Sequence, residues 1–276
     1  MLSSDIRELL QAKKDVESAY WEMVVDDARE ACKLFQTIFT DTDGEDGYVS
    51  IEVSPMLAYD TRRTTEEAKR LCEMVNCPNI CIKIPATTES IISIKEGISQ
   101  RICVNATVIF TLPTYEAVVD AYLDGLEASG LIDLSRVTSV ASFYISRVDN
   151  LIDQKLEEIG TSQALKLKGK AAVAQATLAY KLFQKKFSGP RWEALRKRGA
   201  RKQKLLWAST NVKNPSYPDT SYINPLIGPD TAECTYCMLE ELGIDWNAVG
   251  AQLELEVVGS FKKSFQNVLN SLQEKA

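Results

Sequence analysis

The sequence predicts an α/β protein in which parallel strands alternate with helices. Short apolar runs rich in β-branched residues recur between longer segments with an apolar residue every three or four positions, which is the pattern of strands alternating with amphipathic helices. No GxGxxG turn, linker or fixed repeat interrupts the 276 residues. We therefore expect residues 1–276 to form a single domain of the (βα)8 TIM-barrel type, with a doubly wound open sheet as the alternative.

The elements follow in order along the chain. Apolar residues spaced by three and four between Ile6 and Ile38 predict a long first helix, and a polar turn ending at Gly47 follows it. Strands are predicted at Tyr48–Val53, Asn79–Ile84, Ile102–Phe110, Val137–Ile145, Leu205–Ala208 and, weakly, Thr231–Cys234. Helices are predicted at Thr64–Val75, Glu89–Gln100, Tyr115–Ala128, Val148–Ile159, Leu165–Phe187, Arg191–Arg198 and Gln252–Leu272. About six of the eight strands of a closed barrel are therefore present, so the predicted barrel is incomplete.

Composition and charge exclude several classes of protein. No apolar stretch reaches the roughly 18 residues of a membrane span, so no membrane partner is expected. The net charge of -6 argues against a nucleic-acid partner. The chain contains no histidine, which removes Ser-His-Asp triads, Cys-His pairs and HExxH zinc sites as mechanisms.

The seven cysteines predict free thiols in a reducing compartment. Their number is odd, and the first residues lack the basic-then-apolar pattern of a signal peptide, so we expect a cytoplasmic protein. Cys234 and Cys237 form a lone CxxC pair with no histidine to complete a zinc site, so we expect no metal.

Polar residues lie inside four strands that would be wholly apolar if helices covered both of their faces. Side chains alternate across a strand, so these residues share one face of each strand. They are Ser50, Glu52 and Ser54; Cys81 and Lys83; Asn105 and Thr107; and Ser142 and Tyr144. In a closed barrel these faces converge inside, and barrel enzymes place their sites at the carboxyl ends of the strands.

Lys83 is the candidate nucleophile among these residues. It lies between Ile82 and Ile84 at the end of its strand, where partial desolvation favours the neutral amine that attacks a carbonyl and forms a Schiff base. Glu52 would be the nearby acid or base, with Thr107 or Ser142 holding a water. The alternative is that Lys83 extends into solvent and pairs with Glu52.

At these residues the sequence resembles the transaldolase family, in the branch found in plants and actinobacteria. The resemblance runs from about residue 5 to the C-terminus, with the motifs in the family's order. The motifs are Gly47–Pro55 (GYVSIEVSP), Ile82–Thr87 (IKIPAT), Val104–Phe110 (VNATVIF), Val140–Asp149 (VASFYISRVD), Gly169–Ala172 (GKAA), Leu206–Thr210 (LWAST) and Lys213–Pro215 (KNP). The resemblance implies a (βα)8 enzyme of the pentose phosphate pathway that moves a dihydroxyacetone unit between sugar phosphates without cofactor or metal.

The resemblance also implies roles for individual residues, with Lys83 as the Schiff-base lysine. The others position the catalytic water (Glu52 and Thr107), line the sugar pocket (Asn105 and Ser142) or bind phosphate (Arg147, Ser209 and Lys213).

Arg147 has separate support from the local sequence. Ser146 and Asp149 have the S-x-x-D form of a helix start, and a helix N-terminus attracts phosphate. The alternative is a surface ion pair between Arg147 and Asp149. Downstream, Lys181–Lys204 holds ten basic residues and one acidic residue. A solvated face that raises the positive potential near a phosphate substrate is favoured there over a nucleic-acid patch.

The sequence departs from the family in two places. The family has two strands before Tyr48, carrying a catalytic aspartate and a substrate-contacting asparagine, and no residue among the first 47 matches them. The chain is also shorter after Cys237. We therefore expect weak turnover, unpaired sheet edges and an unstable or homo-oligomeric chain. The alternative is a remnant that binds sugar phosphates or a complete paralogue, and a plastid location stays open if a targeting segment is missing.

Overall fold

Five parallel strands form one sheet, in the order in which they occur along the chain. The computed structural model describes residues 15–218, 220–222, 224–227 and 245–274. The strands are β1 (Val49–Glu52), β2 (Ile80–Pro85), β3 (Val104–Ile109), β4 (Ser139–Tyr144) and β5 (Lys204–Ala208). This sheet confirms the α/β class and is consistent with an incomplete barrel of the (βα)8 type. The sixth predicted strand, Thr231–Cys234, lies outside the described residues.

Helices connect consecutive strands, as parallel pairing requires, and others precede β1 and follow β5. They are α1 (Val16–Asp41), α2 (Thr61–Val75), α3 (Ser90–Ser99), α4 (Leu112–Ala128), α5 (Ser146–Ile159), α6 (Ser162–Leu165), α7 (Ala171–Lys186), α8 (Gly189–Arg196) and α9 (Trp246–Gln273). Two short 3-10 turns, Pro55–Leu57 and Asn224–Ile227, complete the described elements. The single helix expected over Leu165–Phe187 is wrong, because the chain turns at Gly169 (φ +71°), where an added Cβ would lie 2.9 Å from the ring of Tyr217.

Local capping explains where several helices begin and end. The side chains of Asp15, Asp60, Thr111 and Asp245 each accept a hydrogen bond from a backbone N–H in the first turn of the helix that follows. Asn76 ends α2 in the left-handed conformation, with φ +49°. These bonds satisfy backbone groups that the helices themselves leave unpaired.

The two faces of the sheet differ as the alternation of residues predicts. Ile82, Ile84, Val104 and Ala106 are fully buried and belong to the main hydrophobic core. Burial of such side chains is the main stabilising contribution to the fold. The opposite face carries the polar residues.

The last helix, α9, lies across the carboxyl ends of the strands. Gly250 packs on Thr111, which follows β3. Further along the helix, the ammonium of Lys262 lies 5.2 Å from the ring centre of Tyr59, which follows β1. Phe265 then contacts the ring of Tyr20 at the start of α1, with ring centres 5.3 Å apart. The helix therefore forms a wall beside the end of the sheet where the polar faces open.

Ion pairs join the two outer strands at the opposite, amino end of the sheet. Asp43 and Glu45 precede β1, and they pair with Arg201, which precedes β5, at 3.4 and 3.1 Å. Arg136 pairs with Asp43 at 3.1 Å, and the ammonium of Lys204 donates to the carbonyl of Glu45. The sheet is therefore curved enough to bring the amino ends of β1 and β5 within reach of these long side chains.

The basic stretch Lys181–Lys204 lies partly against an acidic face of α4. Lys186 pairs with Glu116 and Asp120 at 2.8 and 2.9 Å, and Arg191 pairs with carboxylates of the same helix at 2.7 and 2.8 Å. This part of the stretch therefore fastens α7 and α8 to α4, which neither interpretation of its charge anticipated.

Two of the cysteines are joined, so the expectation that all seven are free thiols is wrong. Cys81 in β2 and Cys103, which precedes β3, form a disulfide with a Cα–Cα distance of 4.6 Å. Parallel pairing of Ile82 with Val104 places the two cysteines side by side. Cys32, Cys72 and Cys77 are free, whereas Cys234 and Cys237 lie outside the described residues.

Candidate active site

Lys83 and Glu52 lie side by side at the carboxyl ends of neighbouring strands. The β1–β2 register pairs Glu52 with Lys83, and the β2–β3 register pairs Lys83 with Asn105. Lys83 Nζ lies 3.4 Å from Glu52 Oε2, and the two side chains are 26% and 32% exposed. The pairing expected as the alternative for Lys83 is therefore present, and it leaves the amine reachable from the opening of the sheet.

Asn105 is held in one orientation beside this pair. Its amide nitrogen donates to Ser50 Oγ at 3.1 Å, and its amide oxygen accepts from Ser142 Oγ at 2.8 Å. Asn105 is 8% exposed, and Ser142 is 3% exposed. Because both ends of the amide have partners, the side chain is fixed between β1 and β4.

A bulge in β3 sets the position of Thr107. The register with β4 shifts between Ala106 and Ile109, and Val108 has φ +62°, a conformation rare for a β-branched residue. Thr107 Oγ1 lies 3.3 Å from the hydroxyl of Tyr144, and both residues are buried. Backbone strain of this kind persists where the surrounding structure enforces it, often at functional sites.

Arg147 and Ser209 come together one strand further along. The backbone N–H of Ser146 donates to the carbonyl of Ser209 at 3.0 Å, and the two hydroxyls lie 3.2 Å apart. Ser209 has φ +55° directly after β5, so the backbone turns sharply there. Arg147 Nε is buried and has no hydrogen-bond partner among the described residues. An unpaired guanidinium nitrogen at the start of α5 is a donor available to an anionic ligand.

Asp149 corrects the expected helix start. The side chain of Ser146 forms no cap hydrogen bond, so Ser146 and Asp149 do not form a capping pair. Asp149 is 1% exposed and accepts from the backbone N–H of Ala172 at 2.7 Å. The surface ion pair with Arg147 is therefore also wrong. Burial raises the pKa of Asp149 to about 6, against the hydrogen bond from Ala172.

Lys213 is not part of the cluster around Lys83. None of the hydrogen bonds of that cluster reaches it among the residues that the structure describes. Its segment is anchored from α5, because Asp153 accepts from the backbone N–H of Gly169 at 2.9 Å and from the hydroxyl of Tyr217 at 2.5 Å. The GKAA segment and the chain after Lys213 are thereby held to α5, the helix whose first turn contains Arg147.

Comparison with known proteins identifies the family to which the chain belongs. The family model described as transaldolase/fructose-6-phosphate aldolase matches residues 1–272. The chain belongs to the transaldolase/fructose-6-phosphate aldolase family. It is similar to a protein named transaldolase from Acidothermus cellulolyticus, at 43% identity over 94% of this chain and 78% of that one. It is also similar to proteins of that name from Thiobacillus denitrificans (40% identity; 97% and 83%) and Renibacterium salmoninarum (42%; 98% and 80%).

The family motifs in the sequence assigned no role to Tyr144, although it lies within one of them, Val140–Asp149. The signal was present in the sequence, because Tyr144 and Ser142 share the polar face of β4. Its contact with Thr107 required the fold, because 37 residues separate the two. Membrane insertion has no support from the helices, since none in the described ranges has the length and hydropathy of a membrane span.

Proposed function

We propose that the protein is a transaldolase of the pentose phosphate pathway. It would transfer a dihydroxyacetone unit from sedoheptulose 7-phosphate to glyceraldehyde 3-phosphate, which yields erythrose 4-phosphate and fructose 6-phosphate. Family membership and the relatives named transaldolase support this reaction. The observation that carries it is the adjacency of Lys83 and Glu52, 3.4 Å apart at the carboxyl ends of two strands.

In this proposal the Lys83 amine attacks the ketose carbonyl and forms a carbinolamine. Loss of water then gives a Schiff base, whose positive nitrogen accepts the electron pair released when the bond between the third and fourth carbons of the ketose breaks. Glu52 and Thr107 hold the water that is released when the Schiff base forms and the water that later hydrolyses it, and the carboxylate of Glu52 exchanges the protons. Asn105 and Ser142 contact the sugar hydroxyls, and the hydrogen bond between the two side chains holds them in position for this.

The phosphate group would lie at the start of α5. Arg147, with its unpaired Nε, and Ser209, adjacent to Ser146, provide the contacts. We propose Lys213 as a further contact, from the segment that Asp153 and Tyr217 anchor. Phosphate binding here would place the sugar chain between α5 and Lys83.

We also propose that this chain catalyses the transaldolase reaction only slowly. The resemblance assigns the proton transfer of carbon–carbon cleavage to an aspartate that residues 1–47 do not match. Among the described residues, Glu52 is the acid or base that pairs with Lys83, and the hydroxyl of Tyr144 lies beside Thr107 on the polar face of the sheet. Schiff-base formation needs neither the aspartate nor the acceptor sugar, so it can be measured separately from turnover.

Borohydride trapping with fructose 6-phosphate tests the Schiff base. The expected result is one reduced adduct, which peptide mapping assigns to Lys83. The adduct should be absent from Lys83→Met and retained in Lys95→Met, because Lys95 lies on the surface and pairs with Asp124. A folded sample that gives no adduct, or an adduct on another lysine, would contradict the proposal.

Turnover is then measured on the same preparation as erythrose 4-phosphate formed from the two substrates. An adduct with turnover supports a transaldolase. An adduct without turnover supports the alternative, an impaired protein that binds sugar phosphates or a complete paralogue. Release of glyceraldehyde 3-phosphate from fructose 6-phosphate without an acceptor would instead indicate an aldolase.

We also propose that the chain forms a homo-oligomer. Among the described residues, β1 and β5 each have a strand neighbour on one side only, and Leu206 in β5 is 44% exposed. Open edges of this kind pair with other chains. Light scattering coupled to gel filtration tests this, and a monomer with a sharp cooperative melt would contradict it.

A further inference from the structure

A cavity at the amino end of the sheet, away from Lys83, has a composition that the reaction does not use. Its volume is about 410 Å³. Three arginines, Arg101, Arg136 and Arg201, line it together with three cysteines, Cys72, Cys77 and Cys103. Guanidinium groups and sulfur atoms therefore share one space that opens to solvent.

The cavity is positively charged. Arg136 and Arg201 are partly neutralised, because both pair with Asp43 and Arg201 also pairs with Glu45. Arg101 is exposed, and no ion pair of the described residues involves it. Three guanidinium groups face two carboxylates, so the cavity attracts anions.

The disulfide meets this cavity on one side only. Cys103 is half-buried and lines the cavity, whereas Cys81 is 1% exposed. A nucleophile that enters the cavity therefore approaches the disulfide from the side of Cys103. The cross-link lies two residues before Lys83 in β2 and two before Asn105, which is about 7 Å along the strands.

Two of the three free thiols, Cys32 and Cys72, are poor competitors for the disulfide. Burial raises the pKa of Cys72, and burial together with neighbouring Cys77 raises the pKa of Cys32 to about 12. Thiols with raised pKa values stay protonated, and only the thiolate attacks a disulfide. A thiol from outside the protein therefore meets little competition from Cys32 and Cys72.

We propose that this cavity is a thiol–disulfide exchange site for a small thiol that carries carboxylates, and that Cys103 is the residue it modifies. The carboxylates of the ligand bind the arginines, and its thiolate attacks Cys103 Sγ. The Cys81–Cys103 bond breaks, a mixed disulfide forms on Cys103, and Cys81 leaves as a thiolate that takes up a proton. A second molecule of the thiol attacks the ligand sulfur and releases the Cys103 thiolate, so two external thiols are oxidised as one protein disulfide is reduced.

The test compares three thiols of different charge on the oxidised full-length chain: glutathione (anionic), 2-mercaptoethanol (neutral) and cysteamine (cationic). Each reaction is stopped by alkylation and read by intact mass and peptide mapping, so catalysis is not needed for the result. Rates are compared at equal thiolate concentration. We expect a glutathione adduct on Cys103 that forms roughly tenfold or more faster than the cysteamine adduct.

Two perturbations check the role of charge. Arg101→Gln should remove most of the advantage of glutathione, whereas Arg62→Gln, at a surface arginine of α2 that pairs with Glu66, should keep it. Salt at about 1 M, where the screening length is about 3 Å, should also remove the advantage in the unmodified chain. Equal rates for the three thiols, an adduct on Cys81, or an oxidised chain without the Cys81–Cys103 cross-link would overturn the proposal.

Discussion

Gly250→Ala tests whether α9 lies against the end of β3. A Cβ at position 250 would lie 2.0 Å from Thr111 Cγ2. The threonine cannot rotate freely, because Thr111 Oγ1 accepts from the backbone N–H of Thr114 at 3.2 Å and caps α4. One of the two packed helices must therefore shift, or the cap must break.

The magnitude follows from two opposing effects. Overpacking of a buried contact costs about 1–3 kcal/mol, and a separation of 2.0 Å places this site at the upper end. Alanine is about 1 kcal/mol more favourable than glycine inside a helix. We expect Gly250→Ala to lower the free energy of unfolding by about 2 kcal/mol.

Gly259 provides the matched control in the same helix. An added Cβ there has no neighbour within 4 Å, so Gly259→Ala should raise the free energy of unfolding by about 1 kcal/mol. The two variants should therefore differ by about 3 kcal/mol in urea unfolding at equal m-values.

Thr111→Ser should rescue Gly250→Ala, because serine keeps the capping oxygen and removes the methyl group that clashes. The rescue is measured as the difference between the double variant and Thr111→Ser alone. If Gly250→Ala proves as stable as Gly259→Ala, α9 does not pack on Thr111, and the account of how it borders the site is wrong.

Three further predictions each concern a single residue. Burial raises the pKa of Asp149 to about 6 from the ordinary aspartate value of about 3.9, so its contribution to stability is fully present below about pH 4 and is lost as the pH rises through about 6. Asp149→Asn should therefore match the unmodified chain in urea unfolding near pH 4 and exceed it by about 3 kcal/mol near pH 8; parallel pH profiles would show that the carboxyl is not responsible. Asn76→Gly should raise the melting temperature through a gain of roughly 0.5–1 kcal/mol, because Asn76 holds φ +49° at the end of α2, and an unchanged or lower value would contradict that conformation. Tyr144→Phe keeps the ring contact with Phe110 and removes the hydroxyl beside Thr107. We therefore expect kcat to fall about tenfold or more while KM for the ketose phosphate changes less than about twofold. If the free energy of unfolding falls together with kcat, the hydroxyl has a structural role.

Much of the fold could be predicted because the patterns behind it are local. Each of the first five predicted strands overlaps an observed strand, and the polar residues of β1 to β4 gather on one face because side chains alternate along every strand. The helix predicted over Leu165–Phe187 failed at Gly169, where the backbone turns beside Tyr217. That contact joins residues 48 positions apart, so no local pattern could reveal it.

The site could be predicted in part for the same reason. Lys83, Glu52 and Asn105 were singled out from strand alternation, and the register of β1, β2 and β3 places them in a row. The prediction for Asp149 is wrong because its spacing from Ser146 fits a helix start, whereas its observed partner, Ala172, lies in the first turn of a different helix. Burial then changed its chemistry by raising its pKa.

The sequence by itself determined the α/β class, the position of a lysine at the carboxyl end of a strand and the family, because these depend on periodicity and on motifs of a few neighbouring residues. The tertiary structure decided which side chains meet. The Cys81–Cys103 cross-link, the contact between Thr107 and Tyr144, and the pairing of basic residues with α4 all join segments far apart in the chain. The physical reason is that such contacts depend on strand register and helix packing, which hydrophobic burial sets across the whole sheet at once.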